Sequence, residues 1–155
     1  MIRCTLAPEP PHFDTQVRQP GRAWLDKNPH KNPPHAFWTR VRGELAEVFH
    51  HRCAYLAIEI FNGQVDHFVS CNEDRDLAYE WMNYRYCDPG INSRKNSARA
   101  DELLDPCTIE DDWFELILPS LQIRVTELCP AELRERANHT LVRLGLRSTR
   151  SIDPS

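Results

Sequence analysis

The sequence lacks several features that mark broad protein classes. It contains no run of about 18 apolar residues, so no membrane-spanning helix is expected. Its first residues hold no apolar stretch of the secretory type, which predicts no signal peptide and a cytoplasmic location. None of its six cysteines forms a C-x-x-C pair, which argues against a zinc ribbon. At 155 residues with 41% hydrophobic composition, the chain is expected to form one globular domain.

The sequence also lacks the basic charge that is typical of proteins that bind nucleic acid strongly. The net charge is −4 at pH 7, and its sign is unevenly distributed along the chain. Residues 1–52 carry eight Lys and Arg against five Asp and Glu, whereas residues 101–155 carry six against eleven. A polyanionic ligand is therefore expected to approach the N-terminal half.

Glycine is scarce and proline is abundant, with five glycines against twelve prolines. Seven of the prolines fall within the first 34 residues, so residues 1–35 are predicted to form an irregular arm that is mostly coil. Apolar residues at helical spacing then predict an amphipathic helix over residues 36–52.

The central region is predicted to hold a hairpin. Two β-rich runs, residues 53–61 and 64–69, flank Asn62-Gly63, a dipeptide that strongly favours a tight turn between paired strands. Residues 77–87 are then predicted to begin as a helix and to end as a short strand.

Further elements are predicted towards the C-terminus. A polar helix is expected over residues 91–102, beginning one or two residues into that range. Residues 113–118 and 121–126 are expected to pair as a second hairpin. A final helix over residues 130–146 would end at Gly145.

An ordered set of polar residues in the middle of the chain carries the candidate chemistry. Asp66 and His67 are adjacent on a predicted strand, and Asn83 follows 16 residues after His67. Asn92 lies nine residues after Asn83, on the polar helix that also carries Lys95. Adjacent side chains on a strand point to opposite faces, so Asp66 and His67 can converge only where the strand is distorted or ends.

This order of residues resembles the HNH (His-Me finger, ββα-metal) endonuclease family, in a bacterial HNH-like branch with degenerate zinc-binding cysteines. The matching segments are Val65–Phe68, Trp81–Cys87 and Ile91–Lys95, and the resemblance covers residues 53–95. It implies a single α+β domain over residues 1–155. A central ββα-metal finger (53–102) would follow an N-terminal arm (1–35) and helix, and a C-terminal hairpin plus helix (103–155) would close the fold.

The resemblance implies a metal-dependent endonuclease that hydrolyses phosphodiester bonds of DNA, with RNA as a less favoured substrate. His67 would be the general base that takes a proton from the attacking water. Asp66 and Asn92 would hold one Mg²⁺ or Mn²⁺ ion, because hard divalent cations prefer oxygen ligands. Asn83 would fix the loop and help to orient His67.

Three basic residues in the same region are candidate contacts to phosphate or nucleic acid. They are Lys95, Arg94 and Arg85. Taken singly, each polar residue of the motif has an ordinary structural explanation as a turn, packed or solvated residue. The tryptophans at positions 38, 81 and 113 are expected to anchor the core rather than to stack on bases.

The chain departs from the family pattern at the zinc-binding positions. The segments Cys53-Ala-Tyr-Leu56 and Cys87-Asp-Pro-Gly-Ile91 replace two of the four ligands with apolar residues, so no structural zinc is expected. Packing of Leu56 and Ile91 would replace it, supported by three aromatic residues, Tyr55, Trp81 and Tyr86. A metal site from His51 with the two cysteines is a less favoured alternative.

Two other functions stay open from the sequence. One is a catalytically weak HNH-like module that acts as a partner-binding subunit of a bacterial defence or mobile-element system, for example beside an ATPase subunit. The acidic C-terminal third favours protein contact over DNA contact. The other is a secreted nuclease toxin with a cognate inhibitor. No membrane contact is expected in any of these cases.

Overall fold

The computed structural model describes residues 1–147, which form a mixed α+β fold with four α-helices and two small antiparallel sheets. The helices are α1 (Gln19–Lys27), α2 (Arg42–Val48), α3 (Pro89–Lys95) and α4 (Ala131–Arg143). The strands are β1 (Gln64–His67), β2 (Tyr84–Cys87), β3 (Phe114–Ile117) and β4 (Gln122–Val125). Within these described residues, no helix has the length and apolar character needed to span a membrane.

The first sheet joins β1 to β2 across a long loop. The strands are antiparallel, with Gln64 opposite Cys87 and His67 opposite Tyr84. Helix α3 begins directly after β2 and contacts β1, so strand, strand and helix follow one another in the chain. Helix α2 contacts both strands of this sheet. The pairing therefore places the end of β1 between two helices.

The hairpin predicted around Asn62-Gly63 is wrong. Residues 53–61 form no strand, and an isolated bridge between Arg52 and Glu59 is their one ladder contact within residues 1–147. Gly63 does not form a turn between strands. Its lack of a side chain instead lets the Tyr86 ring pack directly against its backbone. A Cβ atom at position 63 would be 2.1 Å from the Tyr86 Cζ atom.

The polar helix predicted over 91–102 begins earlier and is shorter. The Asp88 carboxylate accepts hydrogen bonds from the backbone N–H groups of Gly90 and Ile91, so α3 is capped and starts at Pro89. It ends at Lys95, and Ala100–Glu102 is a separate 3₁₀ turn. The carboxylate cap fixed this start, whereas Asp88-Pro89 reads as a simple turn in the sequence.

The N-terminal arm is more ordered than predicted. A π-helical turn (Asp14–Arg18) continues into α1, and it buries Phe13 and Val17 in the core. Pro20 lies in the first turn of α1, where a missing N–H group is tolerated. The single helix predicted over 36–52 divides into a 3₁₀ turn (Phe37–Val41) and α2.

The C-terminal elements confirm the sequence predictions. Strands β3 and β4 pair antiparallel as the second hairpin, and α4 packs against β4. Gly145 follows α4 with a φ angle of +71°, the left-handed conformation that favours glycine at a helix end. The other short turns in the described chain are Arg75–Tyr79, Trp81–Asn83 and Asp111–Trp113.

Aromatic side chains fill the centre of the core. Trp81, Tyr55, Tyr79, Tyr84 and Phe13 are the largest fully buried aromatic residues. The tyrosine hydroxyl groups and the Trp81 indole N–H donate hydrogen bonds to backbone carbonyls or to a carboxylate. The large rings are therefore buried without leaving a polar group unpaired. This aromatic core supports the loop between β1 and β2.

We expect Gly63→Ala to lower the free energy of unfolding by about 1–3 kcal/mol, since the added methyl group would collide with the Tyr86 ring. That ring is 3% exposed and cannot swing into solvent. Urea denaturation followed by circular dichroism measures the loss. Gly43→Ala is the matched control, because nothing lies within 4 Å of its added Cβ. Equal stability of the two variants would contradict this packing.

Candidate functional site

A cleft of about 860 Å³ opens beside the end of β1. It is lined by residues of β1, by Trp38, Thr39 and Arg42, and by residues of α3. Three of the sequence-predicted site residues line this cleft, namely Asp66, His67 and Asn92. The other four, Asn83, Arg85, Arg94 and Lys95, do not line it.

The His67 ring is held in one orientation by the loop that follows β1. Its Nε2 atom lies 2.9 Å from the backbone oxygen of Ala78, which also accepts the Tyr84 hydroxyl at 2.8 Å. A carbonyl oxygen only accepts hydrogen bonds, so Nε2 carries the proton and Nδ1 keeps its lone pair in the neutral ring. No hydrogen bond from another group in residues 1–147 occupies Nδ1.

Aromatic neighbours enclose the same ring. Trp38 meets His67 edge-on with ring centroids 4.5 Å apart, and Tyr84 does so at 5.2 Å. Burial lowers the pKa of His67 from its ordinary value, because the charged imidazolium is poorly solvated there. The ring is therefore neutral at pH 7. Neutral imidazole with a free lone pair is the form that can take a proton.

Asn83 joins the two ends of the loop between β1 and β2. Its side-chain oxygen accepts the Val69 N–H at 2.8 Å, and its amide nitrogen donates to the Val69 and Leu77 carbonyls at 3.0 and 3.2 Å. Leu77 directly precedes Ala78, whose carbonyl orients His67. Asn83 is therefore a positioning residue that acts through the backbone of the loop.

Asp66 is buried in a network that the sequence motif does not reveal. One carboxylate oxygen accepts the Tyr55 hydroxyl at 2.7 Å, and the other lies 3.1 Å from the Lys95 ammonium. Lys95 also donates to the His67 backbone oxygen at 2.7 Å. The pair joins the C-terminal end of α3 to the last residues of β1. Since β1 ends at His67, both Asp66 and His67 reach the cleft.

Two of the three basic residues proposed as phosphate contacts are buried in ion pairs, and the third, Arg94, is exposed but does not line the cleft. Lys95 is fully buried against Asp66. Arg85 is 3% exposed, forms a two-pronged ion pair with Asp105 and donates to two backbone carbonyls. Arg94 points to the opposite side of α3, where it contacts the Leu144 carbonyl at 3.5 Å. In this arrangement none of the three presents its charge to the cleft.

Asp66 and Asn92 offer the donor atoms of the predicted metal site. Each Asp66 oxygen accepts one hydrogen bond and keeps a lone pair, and Asn92 donates from its amide nitrogen to Gln64 at 3.0 Å, which leaves its oxygen available. One carboxylate and one amide oxygen fit a Mg²⁺-like ion that keeps several waters. The Lys95 charge weakens cation binding, and no cluster of three His, Cys, Asp or Glu side chains in residues 1–147 is placed to hold a metal.

The segments around Cys53 and Cys87 pack together in the core. The buried Cys87 thiol donates to the Asp88 carbonyl at 3.4 Å, and the Cys53 sulfur accepts the Asp88 N–H at 3.4 Å. Ile91 is buried and Leu56 packs against the same core, as the sequence predicts. His51 pairs with Glu47 through its Nε2 atom at 2.9 Å and does not join Cys53 and Cys87 in the alternative metal site.

Three residues of the site escape sequence analysis. Tyr55 belongs to the segment expected to form a strand, Trp38 is expected only as a core anchor, and Arg42 has no role in the motif. They reach Asp66, His67 and the cleft only through folding. The one available signal for Tyr55 is that a buried carboxylate requires a hydrogen-bond donor.

Compared with known proteins, the chain matches none of the protein-family models, and none of the curated proteins matches it. The geometry of the cleft is therefore the basis for any assignment of function.

We expect Lys95→Met to lower the free energy of unfolding by about 3–5 kcal/mol, because it leaves the buried Asp66 charge without its counter-ion. The double variant Asp66→Asn/Lys95→Met should recover part of this loss, since no isolated charge remains. Chemical denaturation of both proteins measures the difference. Arg99→Met is the control, because the Arg99–Asp101 pair is exposed on both sides and its loss should change stability little.

Proposed function

We propose that this protein is a metal-dependent endonuclease that hydrolyses phosphodiester bonds of DNA. The observation that supports this most is the state of His67. Its Nε2–H bonds to the Ala78 carbonyl, its pKa is lowered by burial, and its ring lines a cleft beside Asp66 and Asn92. A neutral, oriented imidazole in a cleft with oxygen donors suits proton abstraction from water. The resemblance to HNH nucleases agrees with this chemistry.

In the proposed reaction, His67 Nδ1 accepts a proton from a water molecule. The water oxygen then forms a bond to phosphorus while the bond from phosphorus to the leaving oxygen breaks, and the leaving oxygen takes a proton from solvent. The Ala78 carbonyl stabilises the imidazolium that forms, because it accepts the Nε2–H bond. Asn83 keeps that carbonyl in place through the loop backbone.

Asp66 and Asn92 are the residues that would hold a Mg²⁺ or Mn²⁺ ion. Such an ion supplies positive charge against the negative charge that develops on the phosphate. The Tyr55 and Lys95 contacts fix the Asp66 carboxylate at the cleft. The Gln64 contact orients the Asn92 amide so that its oxygen is free.

We expect His67→Ala to abolish metal-dependent nicking of supercoiled plasmid, a loss of at least a hundredfold, since it removes the base. The assay compares Mg²⁺, Mn²⁺ and EDTA. His139→Ala is the matched control, because His139 is exposed on α4 and far in sequence from the motif. Equal cleavage by His67→Ala and wild type would remove His67 as the base, and no cleavage by folded wild type with any metal would contradict the nuclease assignment.

The cleavage rate should be constant between pH 7 and pH 8 and should fall only at acid pH. Protonation of Nδ1 removes the lone pair, so activity is lost as pH falls through the pKa of His67, which burial holds below its ordinary value. Trp38→Ala exposes the ring and should move the acid limb of the rate profile to higher pH. An acid limb that stays unchanged in this variant would contradict the burial effect.

A partner-binding module is the second candidate function. The observation that favours it is an apolar groove of about 510 Å³ between the 56–58 segment and the β3–β4 hairpin. Ile58, Leu116 and Leu121 lie there with more than half of each side chain exposed. Apolar side chains grouped in this way are typical of protein contacts. A folded wild type that cleaves nothing in the plasmid assay would favour this function.

A further inference from the structure

The cleft needs a positive group that the sequence motif does not provide. The phosphodiester backbone is anionic, and proteins hold it mainly through Arg and Lys. Lys95 and Arg85 are held in buried ion pairs with Asp66 and Asp105, and Arg94 does not line the cleft. A ligand in the cleft therefore requires a cation from another element.

Arg42 is the cation that lines the cleft and remains available. It is the first residue of α2, is exposed, and lines the same cleft as His67 and Asn92. No hydrogen bond or ion pair occupies its guanidinium group within the part of the chain that the structure describes. Its five N–H donors are therefore free to meet phosphate oxygens.

The position of Arg42 is fixed by the core. Leu45 and Ala46, on the same helix, are buried, and α2 contacts both β1 and β2. The residue before it, Val41, is fully buried as well. The backbone of Arg42 is thus held relative to His67, so only the side chain must be ordered when a ligand binds.

Residues of α3 and its C-terminal end offer complementary groups at the cleft. Ser93 and Asn96 line the cleft from α3 and its C-terminal end, and both side chains are exposed. Hydroxyl and amide groups donate hydrogen bonds to phosphate oxygens without adding charge. An anion in the cleft would therefore meet a charged donor from α2 and neutral donors from α3, beside His67.

We infer that Arg42 binds the phosphodiester backbone of the nucleic acid in this cleft. This role comes from a helix outside the 53–102 region that resembles the HNH finger. The inference rests on the proposed function, because it takes a nucleic acid as the ligand. It also accounts for binding by a chain whose net charge is negative, since the local charge at the cleft decides the contact.

The test measures binding separately from cleavage. Fluorescence anisotropy of a labelled DNA duplex, in EDTA and over a range of salt concentrations, gives affinity without turnover. Arg42→Gln should weaken binding about tenfold and should reduce the slope of log affinity against log salt by about 0.9, the value for one lost phosphate contact. Arg42→Lys should restore the slope but only part of the affinity, because it keeps the charge and loses the planar fork.

Arg40→Gln is the matched control. Arg40 is also exposed, and its substitution removes the same charge as Arg42→Gln. Its guanidinium, however, lies over the Phe37 ring and donates to the Gln16 carbonyl, outside the cleft. It should bind DNA as the wild type does. A uniform loss in both variants would show general charge attraction and would overturn the specific contact.

The remaining outcomes separate this inference from the nuclease assignment. Wild-type cleavage together with unchanged binding by Arg42→Gln would overturn the role of Arg42 and leave the endonuclease proposal in place. Specific loss of binding in Arg42→Gln, in a wild type that binds DNA but does not cleave it, would support Arg42 and overturn the nuclease. A wild type that binds no DNA would overturn the inference.

Discussion

The ion pair between Asp66 and Lys95 is the constraint on which the site depends. Both groups are buried, so each needs the other, and the geometry that joins them is strongly specified. The pair fixes α3 against the end of β1, and the Tyr55 hydroxyl adds the segment before β1 to the same point. Because Lys95 also holds the His67 carbonyl, the position of the candidate base follows from this one contact.

A second set of contacts determines the chemistry of His67 rather than its place. The Ala78 carbonyl selects the tautomer, and the Trp38 and Tyr84 rings keep the imidazole neutral by excluding water. Asn83 closes the loop that carries the carbonyl. Lys95 and Arg85 are held in buried ion pairs and Arg94 does not line the cleft, so Arg42 on α2 is the one Lys or Arg among residues 1–147 that lines it. The candidate base and the positive charge at the cleft thus come from separate elements of the chain.

Elements specified by local contacts were predicted well from the sequence. The β3–β4 hairpin and α4 have short-range signals, in paired β-rich runs and in helical spacing that ends at Gly145. The prediction of a hairpin at Asn62-Gly63 was wrong because β1 pairs with a strand that begins about 20 residues after Gly63. The packing of Tyr86 against Gly63 overrides the local preference for a turn. The prediction of an irregular, proline-rich arm was wrong in part, since a proline in the first turn of a helix does not prevent that helix from forming.

The sequence by itself determined the order and spacing of Asp66, His67, Asn83 and Asn92. The antiparallel pairing of β1 with β2, together with the packing of α3 on β1, brings three of them to one cleft. Only the tertiary structure decided which charges are free. From the sequence, Lys95 is expected to be solvated, and only the structure shows the buried Asp66 carboxylate beside it. Arg42 lies 24 residues before Asp66 in the sequence, and only the packing of its helix on β1 brings it to the cleft. Burial and long-range pairing set those properties, and neither is encoded in local spacing.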